Sequence, residues 1–402
     1  MSSRTIKVAI VGGSYAGAAA IKSLGDVAKK SYPNLHITVI DRSTHFYHCI
    51  GTPRAVVQPE FAKLLVHPIS NAVQNAEVDP KHPKHRFVHA KVDSVNSNNT
   101  LSLSDGSTVS FDYLVLATGS SAMKMIKADQ STGEETLHDL SKFSKAIKKA
   151  ESILIIGGGA VGVETAGEIA SAYPNKNITL VNSQDRLLPD NFSRKLSAKA
   201  VSGLESSGVN VVLNEKIIIP GGFVFDGQLK TTVLTGSSGA TYKSDIQIMA
   251  TGVRPQADCL VGLEAASGTV LRDKSGAVKV RDTMQLDSDK FPNIFVPGDA
   301  NNLAPQNKYS FKAQAQGSVA AANIAAMIKD GWDMNKSNIS TVVAKKYSDP
   351  INAIMVPISG TAGVAQMSSF VLPNFVANFM IRSTKGKDFF AAKAAEVYPA
   401  TA

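Results

Sequence analysis

The chain has 402 residues, 44% of them hydrophobic, with no long polar tract, which predicts two or three globular domains. Lys and Arg exceed Asp and Glu by nine. No aromatic interleaving or binding motif accompanies that charge, so it suits anionic cofactors and a nucleic-acid partner is not expected. Two cysteines distant in sequence, Cys49 and Cys259, suit a reducing compartment and exclude a Cys-x-x-Cys relay. Apolar runs fall short of the ~20 residues of a membrane span. A strand beginning by Ile6 leaves no signal peptide ahead of it. Ser2 stands where myristoylation needs glycine, and Tyr398-Pro-Ala-Thr-Ala carries no prenylation or peroxisomal signal.

Residues Ile6–Gly17 read as a buried strand, a turn and a helix start. Gly12 and Gly17 hold the first and third positions of a dinucleotide fingerprint, with Gly13 between them. Ser14 takes the second position, where its hydroxyl can bond a phosphate oxygen. The next strand, Leu35–Ile40, ends in Asp41, a carboxylate placed to accept from a ribose diol. An aromatic-rich loop, His45–Ala55, follows. Strand-like alternation covers Phe87–Phe111. His82, His85 and His89 have metal-like spacing, but they stand among Lys and Arg and read as a solvated hairpin. No metal site is expected. A buried strand then ends in Ala117-Thr118-Gly119.

After a polar connection and a helix at Leu137–Ala150, the pattern repeats. Ile153–Glu168 is strand, glycine turn and helix, with Gly157, Gly159 and Gly162 filling all three fingerprint positions. The first allows the tight turn, the second lets backbone approach a pyrophosphate, and the third lets helix and strand pack closely. Helix-start N–H groups and the dipole behind them face phosphate. The helix is placed at Val163–Ala172. The second strand, Asn177–Val181, ends in Asn182 rather than an acid, with Arg186 four residues on. An amphipathic helix is expected over Ser193–Gly208, and Ala250-Thr251-Gly252 closes a later strand as Ala117–Gly119 did. The repeat reads as an internal duplication, one nucleotide-binding fold inserted in the other.

Beyond it, Asn293–Ala300 is a strand ending in Gly298-Asp299, where a carboxylate suits a ribityl hydroxyl. Phe311–Lys329 is an alanine-rich helix whose small side chains admit a flat ligand. Short strands are expected at Ala353–Pro357 and Gly363–Met367, a buried or interface element rather than a membrane anchor at Phe370–Ile381, where Pro373 and Asn374 interrupt the apolar run, and a basic helix near Lys387–Val397.

Taken with Phe61-Ala-Lys and Lys387-Asp-Phe-Phe, these motifs resemble the two-dinucleotide-binding flavoproteins. Within them the chain is most similar to the apoptosis-inducing-factor-like group that includes the ferroptosis suppressor, in its fungal form. The resemblance implies an α/β fold of two Rossmann-like domains. Residues 1–122 and 253–328 would form the FAD domain, 123–252 the inserted NAD(P)H domain, and 329–402 a small α+β C-terminal domain.

The resemblance places FAD at Gly12, Gly13, Ser14, Tyr15, Ala16 and Gly17, with Asp41 and Val92 at its adenosine end. Arg54, Thr118, Gly119, Gly298 and Asp299 lie along the rest. NAD(P)H falls to Gly157, Gly159, Ala160, Gly162 and Gly252. Asn182 and Arg186 open that site to NADPH. Glu164, on the first turn of its helix, stands near the nicotinamide and flavin, where the alternative is dipole stabilisation alone. Lys308 is the candidate cation for charge gained by the flavin ring on reduction.

The implied activity is hydride transfer from NAD(P)H through FAD to an acceptor, foremost a quinone. A type II NADH dehydrogenase, a small-molecule tailoring oxidoreductase and a redox-sensing or death-signalling protein are the alternatives. Localisation is expected to be cytoplasmic, or peripheral to mitochondrial or lipid-droplet membranes. Oligomeric state is left open.

Overall fold

The computed structural model describes residues 4–123, 125–303, 308–331, 345–349, 352–359, 361–383, 391–392, 395–396 and 398. Two apolar runs, Ile6–Val11 and Ser152–Ile156, lie inside two all-parallel sheets. Such strands are covered on both faces, so they are continuous apolar runs rather than alternating ones. The first sheet orders its strands Ile294–Phe295, Tyr113–Leu116, Ile6–Val11, Leu35–Asp41 and Arg86–His89. The second orders Ile246–Met249, Ser152–Ile156, Asn177–Val181 and Val209–Val212. Four strands of each sheet share one order. Ile294–Phe295 returns to the first sheet after the whole second sheet has been made, so one Rossmann-like fold is inserted in the other.

The chain crosses between the sheets twice, and the crossings pair with each other. Ser120–Ser121 runs antiparallel to Arg254–Pro255. The Gln256 N–H donates to the Gly119 carbonyl at 2.9 Å. The segment expected as one alternating hairpin region divides in two. Arg86–His89 joins the parallel sheet, while Val92–Val95, Thr100–Leu103 and Thr108–Ser110 form a separate meander. His85 is buried there and its Nδ1 lies 3.3 Å from the Ile37 nitrogen. His82 pairs with Asp79 at 2.8 Å. His89 Nε2 lies 3.0 Å from both the Arg42 carbonyl and the Ser131 hydroxyl, so all three histidines have specific partners instead of solvent alone. Among the described residues, no group of three or more His, Cys, Asp and Glu is placed to hold a metal.

The alanine-rich helix spans Ser310–Lys329. Its small residues serve a neighbour more than a ligand. It packs along the first fingerprint helix, Tyr15–Lys30, and a Cβ on Gly317 would sit 2.1 Å from the Ala16 carbonyl oxygen. Only its N-terminal end, at Ser310 and Ala313, reaches the cleft described below.

The third unit is the antiparallel sheet Ala353–Pro357, Gly363–Met367 and Phe370–Val371, with the helix Asn374–Ser383 against it. It seats on the inserted domain, where Gln366 Oε1 accepts from the Ser193 nitrogen at 3.0 Å and its hydroxyl at 2.8 Å. One apolar core runs from Phe61 and Leu65 through Val163 and Ile169 to Ile354 and Val356. Each such side chain stabilises by roughly 1.5–3 kcal/mol on burial, so the units are packed together rather than strung on linkers. The expected helix near Lys387–Val397 and the Lys387-Asp-Phe-Phe motif lie largely outside the described residues.

Candidate functional site

The two fingerprints have one construction. Gly12 (φ +97) and Gly157 (φ +113) are both left-handed, a conformation that favours glycine. A Cβ on Gly12 would lie 2.3 Å from the Ala117 carbonyl oxygen, and one on Gly157 2.4 Å from that of Ala250. The repeated Ala-Thr-Gly is thereby explained: its alanine carbonyl is the surface each first glycine must approach. Gly17 and Gly162 close on Gly12 and Gly157 in turn. At the second position a Cβ on Gly159 would meet nothing within 4 Å. That open side faces the cleft, as a pyrophosphate cradle requires. Ser14 is exposed at the equivalent place, and its side chain makes no capping bond.

The strand-end residues match as well. Asp41 Oδ2 accepts from the Gly13 N–H at 2.7 Å, and Oδ1 from Ser43 at 2.8 Å. Burial raises the Asp41 carboxyl above its ordinary range, against the lowering effect of those two bonds. Asn182 Oδ1 accepts from the Gly158 N–H at 2.9 Å in the same way. Its amide nitrogen donates to the Arg186 carbonyl at 2.6 Å. Asn182 thus keeps the turn's hydrogen bond and removes its charge.

Three clefts converge on the crossing strands. The first, of about 1390 Å³, is lined by Gly12, Ser14, Tyr15, Ala16, Thr118, Gly119, Gly298 and Asp299. It continues past Asp41 and Val92. The second runs along Gly157, Gly159, Ala160, Asn182 and Gly252. Lys308 and Ala122 line both of these clefts. The third is bounded by Phe143, Phe223, Phe225 and Met249 and also ends at Ala122.

At the junction Asp299 accepts from Ser120 Oγ at 2.6 Å and Lys127 Nζ at 2.9 Å. Burial would push its carboxyl up, but the Lys127 ammonium and these bonds hold it below the ordinary range. Burial pulls the Lys308 ammonium down, with Asp299 opposing, and Lys308 Nζ donates to the Asn301 carbonyl at 2.7 Å. Sequence reading did not single out Lys127. It stands in a polar connection with no motif around it.

Three expected site residues lie elsewhere than anticipated. Arg186 does not line the second cleft; its guanidinium turns inward and donates to the Phe192 carbonyl. Lys216 lines that cleft beside Asn182 and Ser183 instead. Arg54 does not line the first cleft. It is buried on the short helix Thr52–Ala55, where it pairs with Glu168 of the second fingerprint helix at 3.2 Å. Glu164 lies one turn before Glu168, buried and away from the cleft lining. The helix begins at Ala160, three residues earlier than expected, so Glu164 falls in its second turn. That weakens the dipole explanation, which acts within the first turn.

A family model described as pyridine nucleotide-disulphide oxidoreductase matches residues 6–325. The chain belongs to that family. Its cofactors are FAD and NAD(P)H, and the glycine cradles above fit both. Family members are flavin-dependent NAD(P)H oxidoreductases, and so is this chain. It is 30% identical over 401 residues to an apoptosis-inducing factor homolog B of Dictyostelium discoideum, covering 95% of each chain. To the human ferroptosis suppressor protein 1 it is 24% identical, covering 98% of this chain and 95% of that one. The sulfide:quinone oxidoreductase of Aquifex aeolicus shares the fold at a TM-score of 0.68 and 14% identity, covering 99% of this chain and 93% of the other. The disulphide chemistry in the family's description has no counterpart among these residues: Cys49 lines the first cleft and Cys259 its adenosine end.

Proposed function

We propose that this family member is an NAD(P)H:quinone oxidoreductase, with NADPH an accepted donor. The observation that carries the reading is the junction at Ala122, which lines both nucleotide clefts and the third cleft, with Lys308 lining the first two. FAD supplies the two-electron relay, taking hydride from NAD(P)H and passing an electron pair on. The net reaction is NAD(P)H + H⁺ + quinone to NAD(P)⁺ + hydroquinone.

The chain's own residues bind and orient. Gly157, Gly159 and the Ala160 helix start hold the donor's pyrophosphate. Gly12, Ser14 and the Tyr15 helix start hold that of FAD. Asp299, kept ionised by Lys127, accepts from hydroxyls along the ribityl chain. Lys308 supplies positive charge where the two nucleotide clefts meet. The third cleft offers a quinone ring the flat faces of Phe143, Phe223 and Phe225, in a lining that also holds Asp139, Lys142, Asp226 and Arg254. The ferroptosis-suppressor likeness supports the acceptor class.

The test is the visible spectrum of the purified protein before and after anaerobic NADPH, then turnover with a soluble short-chain quinone. Bleaching of the flavin bands and quinone-dependent NADPH oxidation are expected. Bleaching without turnover on any quinone would sink the acceptor reading while leaving the flavoprotein intact.

A further inference from the structure

The helix Asn374–Ser383 shows its aromatic residues to solvent. Phe375 and Phe379, four residues apart on one face, are 75% and 70% exposed. Ala377 and Ile381, two residues out of phase, are buried against the small sheet. The adjoining hairpin adds Phe370, 77% exposed, and its cross-strand partner Met367, 51% exposed. Leaving three phenyl rings in water at one end of a molecule is costly, and such patches mark docking surfaces. The sequence reads this element as buried or at an interface rather than as a membrane anchor; its outward rings rule out burial.

Charge identifies the occupant. From Ile351 through Lys387 the sequence has no Asp or Glu, while Arg382, Lys385 and Lys387 follow the aromatic face. Arg382 is exposed one turn past Phe379. Lys199 reaches the start of the same helix, donating to Asn374 Oδ1 at 2.6 Å and the Leu372 carbonyl at 3.2 Å. No described helix is long and apolar enough to cross a membrane. Outward aromatics on a short helix, next to an acid-free and basic chain, are the features of an element that lies in a headgroup layer.

We propose that Phe370, Phe375 and Phe379, with Arg382 beside them, dock the protein onto an anionic lipid bilayer without crossing it. The proposal stands apart from the acceptor's identity.

FAD-loaded full-length protein is sedimented with vesicles of phosphatidylcholine alone or mixed with phosphatidylserine. Binding is expected on the mixed vesicles and is weakened by salt. Phe375→Gln with Phe379→Gln should lower the partition coefficient by on the order of tenfold. Arg382→Glu should lower it by about fivefold or more. Flavin content and NADPH turnover with a soluble quinone, measured without vesicles, should stay as in the unaltered protein and so exclude misfolding. Equal binding by the double variant overturns the proposal. So does an unaltered protein that ignores both vesicles and instead forms a dimer that the double variant dissolves. Failure of quinone turnover, with vesicle binding retained, counts against the acceptor reading alone.

Discussion

On the proposed reading, donor choice turns on single side chains, Asn182 first among them. Its amide makes the turn's hydrogen bond to Gly158 as Asp41 does to Gly13, so the fold loses nothing while the strand end itself presents no carboxylate to a 2′-phosphate; Asp190 and Glu215 line the same cleft, with Glu215 taken up by Ser237 and Ser238. Lys216, exposed at the wall of that cleft, is the candidate cation in place of Arg186, which does not line it. An exposed charge contact contributes at most about 1 kcal/mol. Lys216→Ala is therefore expected to raise the KM for NADPH about fivefold. The KM for NADH and both kcat values should stay within error in steady-state assays. The sequence made the loss of the acid visible but not the identity of the cation. Arg186 is near Asn182 along the chain, whereas Lys216 comes close only because Asn177–Val181 and Val209–Val212 pair in parallel.

At the scale of elements, the helices and strands were legible wherever local chemistry is strong. Ser193 caps the helix Arg194–Ser206, accepting from Leu196, within the span expected from amphipathicity. The helix Gly133–Lys149 begins four residues before the expected Leu137, because Thr132 and Glu135 form a reciprocal capping box. That signature was present in the sequence and went unread. What could not be read locally is the contact between Thr52–Ala55 and the second fingerprint helix. The Arg54–Glu168 pair there is 6% and 5% exposed at its side chains. Removing one member of a buried pair strands the other charge. Arg54→Met is expected to destabilise by about 3–5 kcal/mol, with most of that recovered in Arg54→Met/Glu168→Leu. A double-mutant cycle from urea unfolding checks it. If the single variants add, the pair is not coupled as the geometry requires.

For the molecule as a whole, the duplication and insertion were legible because glycine turns and Ala-Thr-Gly strand ends are local signals. The arrangement of the three units was not, since it depends on pairings far apart in the chain. Tyr398 is the most distant of these. It is fully buried beside the first fingerprint, stacks on Phe46 at 4.7 Å between ring centroids, and donates from its hydroxyl to the Gly13 carbonyl. Burial lifts its phenol well above the ordinary range. Tyr398→Ala should cost about 3–5 kcal/mol, as truncations of large buried aromatics do. Tyr398→Phe, which keeps the stack, should cost about 1 kcal/mol. Thermal melting with and without added FAD separates the two; equal melting temperatures would refute the buried placement.

The position of that tyrosine also sets an order of events during synthesis. The turn Gly12–Gly17 keeps its floor incomplete until Tyr398, far downstream, has been made. Ile294–Phe295, which closes the first sheet, also arrives after the whole inserted domain. At ~5–20 residues per second, the amino-terminal half waits tens of seconds for both. The inserted domain, contiguous in sequence, completes its own sheet meanwhile. A chain truncated before Tyr398 is therefore expected to complete the inserted sheet but, on the proposed reading, to retain flavin poorly.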